Sequence, residues 1–379
     1  MSNTFTNLLS DVYAATDVVS RELVGFIPAV ARSSSAERCQ LNANAIRSGV
    51  VPANSAAGDV TAAMSIPSAA DQTIANTALT ITKSRYAPFS WSGEDQVGIN
   101  SGAGYLTTRQ NQIAQALRAL TNEVEADLAS TARKAASRAY GTAGTTPFGT
   151  NLAESAQINK ILLDNGAPLS DKHLILNTTA GAALRTLLNN PLTANAALGN
   201  DLTKQGVLID VNGFAHRESA QLGTVTKGTG TSYVLNGAHA IGATSIVLKT
   251  GSGTVLAGDV LTIGNYKYVV KTGIAAAGTA IINAPGLLEA GSDGGTVTIG
   301  NNFTPSVGFT RNAIQLATRL PALPQEGDMA IMREIITDPR SGLVFELAAY
   351  PGYRMVTYHL MIAWGQLAVK PEHIALLLG

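Results

Sequence analysis

Residues that could bind a metal or act as nucleophiles are few and scattered. The chain has five histidines: His173, His216, His239, His359 and His373. None lies four residues from another or beside acidic residues at ligand spacing, so ordinary strand histidines are the better interpretation. Cys39 is the only cysteine, which excludes an intrachain disulfide and a cysteine-based zinc site and favours a small apolar role.

The charged side chains do not form a recognisable reaction centre. Glu123, Glu125 and Asp127 are the densest acidic group, but helix residues two positions apart point away from each other. A general acid–base pair is therefore disfavoured, and a solvated or intersubunit helix face is predicted instead. Two basic pairs could meet acidic or phosphate groups but are more often salt-bridge partners: Lys83 with Arg85, and Arg32 with Arg38.

The glycine patterns do not predict a nucleotide site. Gly-x-Gly begins at Gly228 and at Gly251, but Tyr233 and Leu256 occupy the place of the third glycine. The phosphate-binding loop and the nucleophile elbow are missing from the sequence, and Asp259 is expected to be a turn residue that opens a strand. We therefore predict no catalytic, cofactor-binding or metal-binding residues, and an enzyme is the least favoured class.

Composition favours a chain that associates with its own copies. Charged residues are 14% and hydrophobic residues 45% of the 379 residues, against roughly 25% charged in an average soluble domain. The 26 basic and 26 acidic residues cancel, which excludes a strongly basic nucleic-acid reader and removes long-range repulsion between copies. We expect two or three domains. We predict neither a signal peptide nor a membrane span, and we expect the chain to be cytoplasmic.

The first 150 residues predict an arm, an extended excursion and a long helix. An amphipathic helix is predicted before Gly25 and Pro28, and a strand is predicted over Ala78–Arg85 that continues past Pro88. The most regular pattern is a helix over Thr108–Tyr140, about 45–50 Å long, for which Gly141 is the expected stop. Its apolar stripe consists of Ile113, Leu117, Leu120, Val124, Leu128 and Ala132.

The rest of the chain predicts an α/β module that is interrupted by a β-rich insert. Helices are expected over Ala156–Asp164, Ala180–Leu188 and Asn312–Thr318, and strands over His173–Leu176 and Val207–Val211. The insert predicts a small barrel or sandwich, with strands over Ser245–Lys249, Val260–Ile263, Tyr266–Lys271, Thr279–Asn283 and Thr296–Ile299. A hairpin of Met329–Ile336 and Leu343–Ala349 follows, then strands over Tyr353–Trp364 and His373–Leu378. Such arms and hairpins provide interaction surface, since many weak contacts repeated over many copies can stabilise a shell.

Two segments resemble a known family. Gly308–Arg319, followed by Leu320 and Pro321, resembles the segment after the insertion in major capsid proteins of tailed bacteriophages. Tyr358–Ala375, in which a glycine-containing strand leads into Lys370-Pro371-Glu372, is similar to the closing strands of that family. The order of elements matches as well. The resemblance implies an α+β chain of the Hong Kong 97-type phage capsid fold, similar to short-tailed-phage coat proteins that carry an inserted β-barrel.

The resemblance also implies a division of the chain. It predicts an N-terminal arm (1–31), an extended loop (32–104) and a peripheral domain with the spine helix (105–150). It further predicts an axial domain in two parts (151–223 and 303–326) that flank an inserted β-barrel domain (224–302). The long hairpin of the peripheral domain (327–352) and the closing strands (353–379) complete the chain.

The implied function is that of a major capsid protein, arranged as hexamers and pentamers of its own copies in an icosahedral shell around double-stranded phage DNA. The implied partners are a scaffolding protein and the portal during assembly, a decoration protein, and packaged DNA in non-specific contact. No cofactor and no membrane are implied. The implied location is the virion, with assembly in the cytoplasm of the bacterial host. The alternative left open is an encapsulin-like shell protein of a nanocompartment with the same fold.

Overall fold

The computed structural model describes residues 22–33, 41–42, 45–50, 75–100, 104–188, 208 and 210–379. The described helices are α1 (Phe26–Ala29), α2 (Gly93–Asn100), α3 (Tyr105–Ala135), α4 (Ala153–Asp164) and α5 (Thr178–Leu188). None of these helices is long and apolar enough to cross a membrane. The amphipathic helix predicted before Gly25, Cys39 and Arg38 lie outside the described residues.

The strands before the insert are β1 (Ala31–Ser33), β2 (Ile46–Val50), β3 (Ala75–Leu79), β4 (Lys83–Ser92), β5 (Arg138–Gly141), β6 (Lys172–Leu176) and β7 (Ala215–Glu218). The insert contains β8 (Tyr233–Leu235), β9 (Ser245–Lys249), β10 (Val260–Ile263), β11 (Tyr266–Thr272), β12 (Thr279–Ile282) and β13 (Thr296–Ile299). The remaining strands are β14 (Pro305–Thr310), β15 (Ile314–Arg319), β16 (Met332–Thr337), β17 (Val344–Gly352), β18 (Met355–Ala368) and β19 (Ile374–Leu378).

The long helix is confirmed, but its predicted C-terminal end is wrong. The helix stops at Ala135 because Ala136 turns to extended backbone and the next residues form β5. The Ser137 amide donates to the Ile374 carbonyl at 2.8 Å, and β5 then runs parallel to β19. Gly141, at φ +97°, therefore ends a strand and not a helix.

The six-stranded sheet has the order β1-β15-β18-β17-β16, and β4 pairs with the other edge of β18. The helix predicted over Asn312–Thr318 is wrong, because only a 3₁₀ turn precedes β15. In β15, buried Ile314 and Leu316 alternate with half-buried Gln315, which is the period of a strand. Strands β1 and β18 supply its two hydrogen-bonding partners.

The strand predicted over Ala78–Arg85 is divided between two strands. β3 pairs with β2, whereas β4 pairs with β18 along ten residues, Lys83–Ser92. The break occurs where the chain crosses Gly365, since a Cβ on Gly365 would lie 1.8 Å from the Thr80 carbonyl oxygen. Pro88 is tolerated because β4 is an outer strand of the sheet.

A second sheet contains β5, β19, β14, β6 and β7 side by side, and α4 and α5 pack against these strands. Gly308 of the family-like motif lies directly under α4, where a Cβ would be 2.4 Å from the Ile158 side chain. The strand predicted over Val207–Val211 lies partly outside the described residues. Val211 forms a single bridge with Phe214 around Asn212 and Gly213, both at positive φ, which confirms the predicted turn.

The insert is a closed barrel of six strands. Its order is β10-β13-β8-β9-β12-β11, and β11 pairs with β10 to close the ring. All five predicted strands are confirmed, and β8 is an additional short strand. The barrel strand β11 also pairs with β5, so one continuous hydrogen-bonded sheet joins the barrel to β5, β19 and the strands beyond them.

Candidate assembly surfaces

The acidic group on α3 anchors other parts of the chain. The prediction of a solvated or intersubunit face is wrong, because Glu125 is 0% exposed and the other two carboxylates bind basic side chains of β4. Glu125 points in a different direction from Glu123 and Asp127, each two positions away, as the helix period requires. The three carboxylates therefore hold two different segments against one helix.

Glu125 binds the start of α1. Its carboxylate accepts the backbone N–H groups of Gly25, Phe26 and Ile27 at 2.6, 2.8 and 3.0 Å. Burial raises the pKa of Glu125, although these donors and the Ser219 hydroxyl act in the opposite direction. The carboxylate satisfies amide groups that begin a helix, which would otherwise be buried without partners.

Glu123 and Asp127 bind β4 and β18. The Lys83 ammonium lies 3.3 Å from Glu123 and 2.8 Å from Asp127, and the Arg85 guanidinium lies 3.0 Å from Glu123. Burial alone would lower the pKa of Lys83, but Asp127 and Glu123 raise it above its usual value. The Trp364 indole also donates to Asp127 at 2.9 Å. The salt-bridge interpretation of Lys83 and Arg85 is thus confirmed.

A third contact connects the residues before α1 to the same helix. The Arg118 guanidinium donates to the Glu22 carboxylate at 2.7 Å, and the Asn122 amide donates at the same distance. The Arg118 hydrogen bond, followed by that of Asn122, lowers the pKa of Glu22 to about 2. The helix α3 thereby fixes the direction in which the chain enters the body.

The hairpin of β16 and β17 presents an open sheet edge. β16 pairs only with β17 in the described part of the chain, and five of its six residues are exposed. The exposed apolar side chains of this region are Met329, Ile331, Met332, Ile335, Val344, Tyr353 and Met355. We name the backbone edge of β16 together with these seven side chains the open edge. An apolar edge of this kind pairs with another chain unless it is protected.

The five histidines singled out in the sequence do not come together in one site. His173, His216 and His359 lie in strands, His239 accepts the Val247 amide at 3.0 Å, and His373 lies in a 3₁₀ turn where a strand was predicted. Within the described residues, no group of three His, Cys, Asp or Glu could hold a metal ion.

Two further predicted residues have structural contacts. Asp259 opens β10 as predicted, and its carboxylate accepts the Leu256 and Gly228 amides at 2.7 and 3.1 Å. Arg32 donates to the Ser341 and Gly342 carbonyls, with 2.7 Å to Gly342. It therefore holds the β16–β17 turn next to β1 and makes no salt bridge with the described residues.

Sequence reasoning missed two features of these surfaces. The burial of Glu125 depends on backbone groups 98 to 100 positions earlier in the chain, which no local pattern reports. The open edge was predicted as a hairpin, but its exposure depends on the strand order of the sheet. Alternating exposed and buried residues would have been the expected signal, and β16 lacks that alternation.

No protein-family model matches the chain, and no curated protein is similar to it in sequence. Among solved structures, a chain from Mycobacterium phage Che8 aligns with 100% of this chain and 96% of its own length, at a TM-score of 0.55 and 13% identity. The capsid structure of the Cyanophage P-SCSP1u aligns with 100% of this chain and 96% of its own, at a TM-score of 0.51 and 13% identity. The chain therefore has the Hong Kong 97-type fold of phage capsid chains that the sequence resemblance predicted, with the closed barrel as its insert.

Proposed function

We propose that this chain is the major capsid protein of a tailed bacteriophage and that its copies form the icosahedral shell. The observation that carries the proposal is the open edge, in a chain that aligns over its full length with chains of the capsid fold. A monomer would leave exposed apolar residues and unpaired backbone groups in water. A shell of identical copies covers them with a neighbouring subunit.

The finer organisation belongs to the same proposal. The chain divides into an N-terminal arm, extended loop, peripheral domain, axial domain and inserted barrel, with the boundaries stated for the sequence. Copies assemble as hexamers and pentamers in the host cytoplasm with a scaffolding protein and the portal, a decoration protein joins the shell, and the shell encloses double-stranded DNA as part of the virion. The protein has a structural role and no catalytic one. The neutral net charge supports close approach of many copies.

Sedimentation velocity and electron microscopy of the purified chain, alone and with its scaffolding protein, test the proposal. We expect closed shells or capsomer-sized rings above a threshold concentration. A species that stays monomeric at every concentration, with or without the scaffold, would overturn it.

Material that copurifies with the shells decides what they enclose. Long double-stranded DNA or a scaffolding protein is expected for a capsid. A cargo enzyme in the absence of DNA would favour the nanocompartment alternative and overturn the viral assignment.

A further inference from the structure

A recess lies between the last turns of α3 and the segment 221–226. Its volume is about 370 Å³. The helix contributes Ala126, Ala129, Ser130 and Arg133, which lie three and four positions apart and so share one helix face. Three of these side chains are small and leave the floor open, while Arg133 borders the recess near the end of the helix.

Arg133 brings a charge without an acceptor to this recess. The residue is half-buried, and its guanidinium makes neither a hydrogen bond nor an ion pair with the residues that the structure describes. It packs against Gly258, where a Cβ would lie 2.4 Å from a guanidinium nitrogen. The Ser130 hydroxyl, one helical turn earlier, likewise has no hydrogen-bond partner among the described residues.

The nearest carboxylate does not satisfy this charge. Asp259 acts on Arg133 only through space, and its oxygen accepts two backbone amides of the barrel. Burial lowers the pKa of Arg133, with Asp259 partly opposing the shift. The C-terminal dipole of α3 also favours a cation in this turn, but it gives the five N–H donors no acceptor. Partial burial without a protein acceptor disfavours the charged form of the guanidinium, and a bound anion would compensate for this loss.

We propose that this recess is an oxyanion-binding site built around Arg133 and Ser130, and that its occupant in the particle is a carboxylate of a second copy of this chain. A planar guanidinium matches the two oxygens of a carboxylate, and the serine hydroxyl can donate a further hydrogen bond. The assignment of the occupant depends on the proposed shell function, whereas the site itself does not.

The charges of the chain favour a neighbouring copy as the source of the oxyanion. Glu94, Glu326 and Glu334 are exposed and make no ion pair with the described residues. The whole chain is neutral. If unpaired cations of one copy pair with unpaired carboxylates of another, the shell as a whole therefore carries no net charge. A phosphate of a double helix is the competing source, and it is an outcome of the test.

The first experiment compares Arg133→Leu with Lys134→Leu in the unassembled full-length chain. Lys134 is the matched control, since it is an exposed cation in the same helical turn. Arg133→Leu should leave the melting temperature unchanged or raise it by a few degrees, because it removes an uncompensated charge. Inorganic phosphate should raise the melting temperature of the original chain and of Lys134→Leu but not that of Arg133→Leu. If Arg133→Leu lowers the melting temperature and phosphate stabilises all three chains equally, the site does not exist.

The second experiment measures assembly of the same chains into DNA-free particles. Arg133→Leu should raise the concentration needed for assembly about tenfold or more, since it leaves the partner carboxylate unpaired; Lys134→Leu should not. At least one of Glu94→Gln, Glu326→Gln and Glu334→Gln should weaken assembly of the original chain but not of Arg133→Leu. A defect of Arg133→Leu that is confined to DNA-filled particles would overturn the carboxylate assignment in favour of phosphate.

The melting and assembly experiments give different results if the oxyanion site is absent and if the shell function is wrong. A chain that never assembles, yet is stabilised by phosphate only when Arg133 is present, contradicts the shell function and retains the oxyanion site. If the Arg133→Leu variant assembles normally, the carboxylate of a second copy is not the occupant, and the shell function stands.

Discussion

The inserted barrel and the six-stranded sheet differ in whether their edge strands are paired: the barrel is closed, and the sheet is open. Each barrel strand from β8 to β13 has two partners within the barrel, so its backbone groups are satisfied inside one chain. The sheet ends at β16, which pairs with β17 alone in the described residues. Closure removes an edge and an unpaired edge attracts a partner. If the copies form a shell as proposed, we expect the barrel to stabilise the subunit and the open edge to join subunits.

The largest expected effect is in the barrel core. Leu261 is fully buried among the apolar side chains of the barrel, so Leu261→Ala should lower the free energy of unfolding by about 2–5 kcal/mol. Urea denaturation of the unassembled chain measures this loss. The exposed Thr298 on β13 provides the control, and Thr298→Ala should cost less than about 1 kcal/mol. Equal effects of the two substitutions would contradict a barrel that depends on its core.

The open edge should show the reverse behaviour. Ile335 is 65% exposed on β16, so Ile335→Ser should change the free energy of unfolding by less than about 0.5 kcal/mol. A neighbour that covers this side chain loses about 1–2 kcal/mol of apolar burial, which raises the threshold concentration for assembly roughly five- to thirtyfold. Light scattering during assembly measures the threshold.

Ile281 sharpens this comparison. It is also an exposed strand isoleucine, 37% exposed, but it lies on β12 of the closed barrel. Ile281→Ser should therefore leave the assembly threshold unchanged. If both substitutions raise the threshold equally, apolar exposure in general drives assembly and the open edge has no special role.

The regular elements were accessible from sequence because their signals are local. The apolar stripe from Ile113 to Ala132 predicts α3, and short runs of Val, Ile, Leu and Tyr between glycine-rich turns predict the barrel strands. The end of α3 and the strand β15 were not accessible, since both depend on strands far away in sequence. Short apolar segments such as Asn312–Thr318 match a helix and a strand about equally well until a pairing partner is known.

The charged groups show the same division. The pairing of Lys83 and Arg85 with carboxylates was predictable because isolated basic residues usually form salt bridges. The burial of Glu125, in contrast, does not follow from its neighbours in sequence. Arg133 resembles any other helix cation until the packing of Gly258 and the loop 221–226 is known. Composition and period predict elements, and only the assembled sheets decide which charges remain unpaired.

The smallest expected effect is a response to pH that separates the barrel from the segment before α1. The Arg118 hydrogen bond holds the pKa of Glu22 at about 2, below its ordinary 4.5. The contact therefore stabilises the folded chain above about pH 4.5 and loses this contribution as the pH falls from 4.5 toward 2. In that window the Ala220 amide, which donates to the Leu23 carbonyl beside the contact at 3.2 Å, should exchange with solvent about two- to fivefold faster.

Glu22→Gln and a barrel amide provide the controls for this measurement. The variant lacks the charge at every pH, so its Ala220 amide should exchange faster than the original at pH 6 and equally fast near pH 2. The Val270 amide, which donates to Asp259 inside the barrel, should respond alike in both chains once the intrinsic pH dependence of exchange is removed. A difference between the two chains at Val270 as large as that at Ala220 would show that Glu22 acts on the whole fold. In that case the barrel would not be stabilised separately from the segment that α3 anchors.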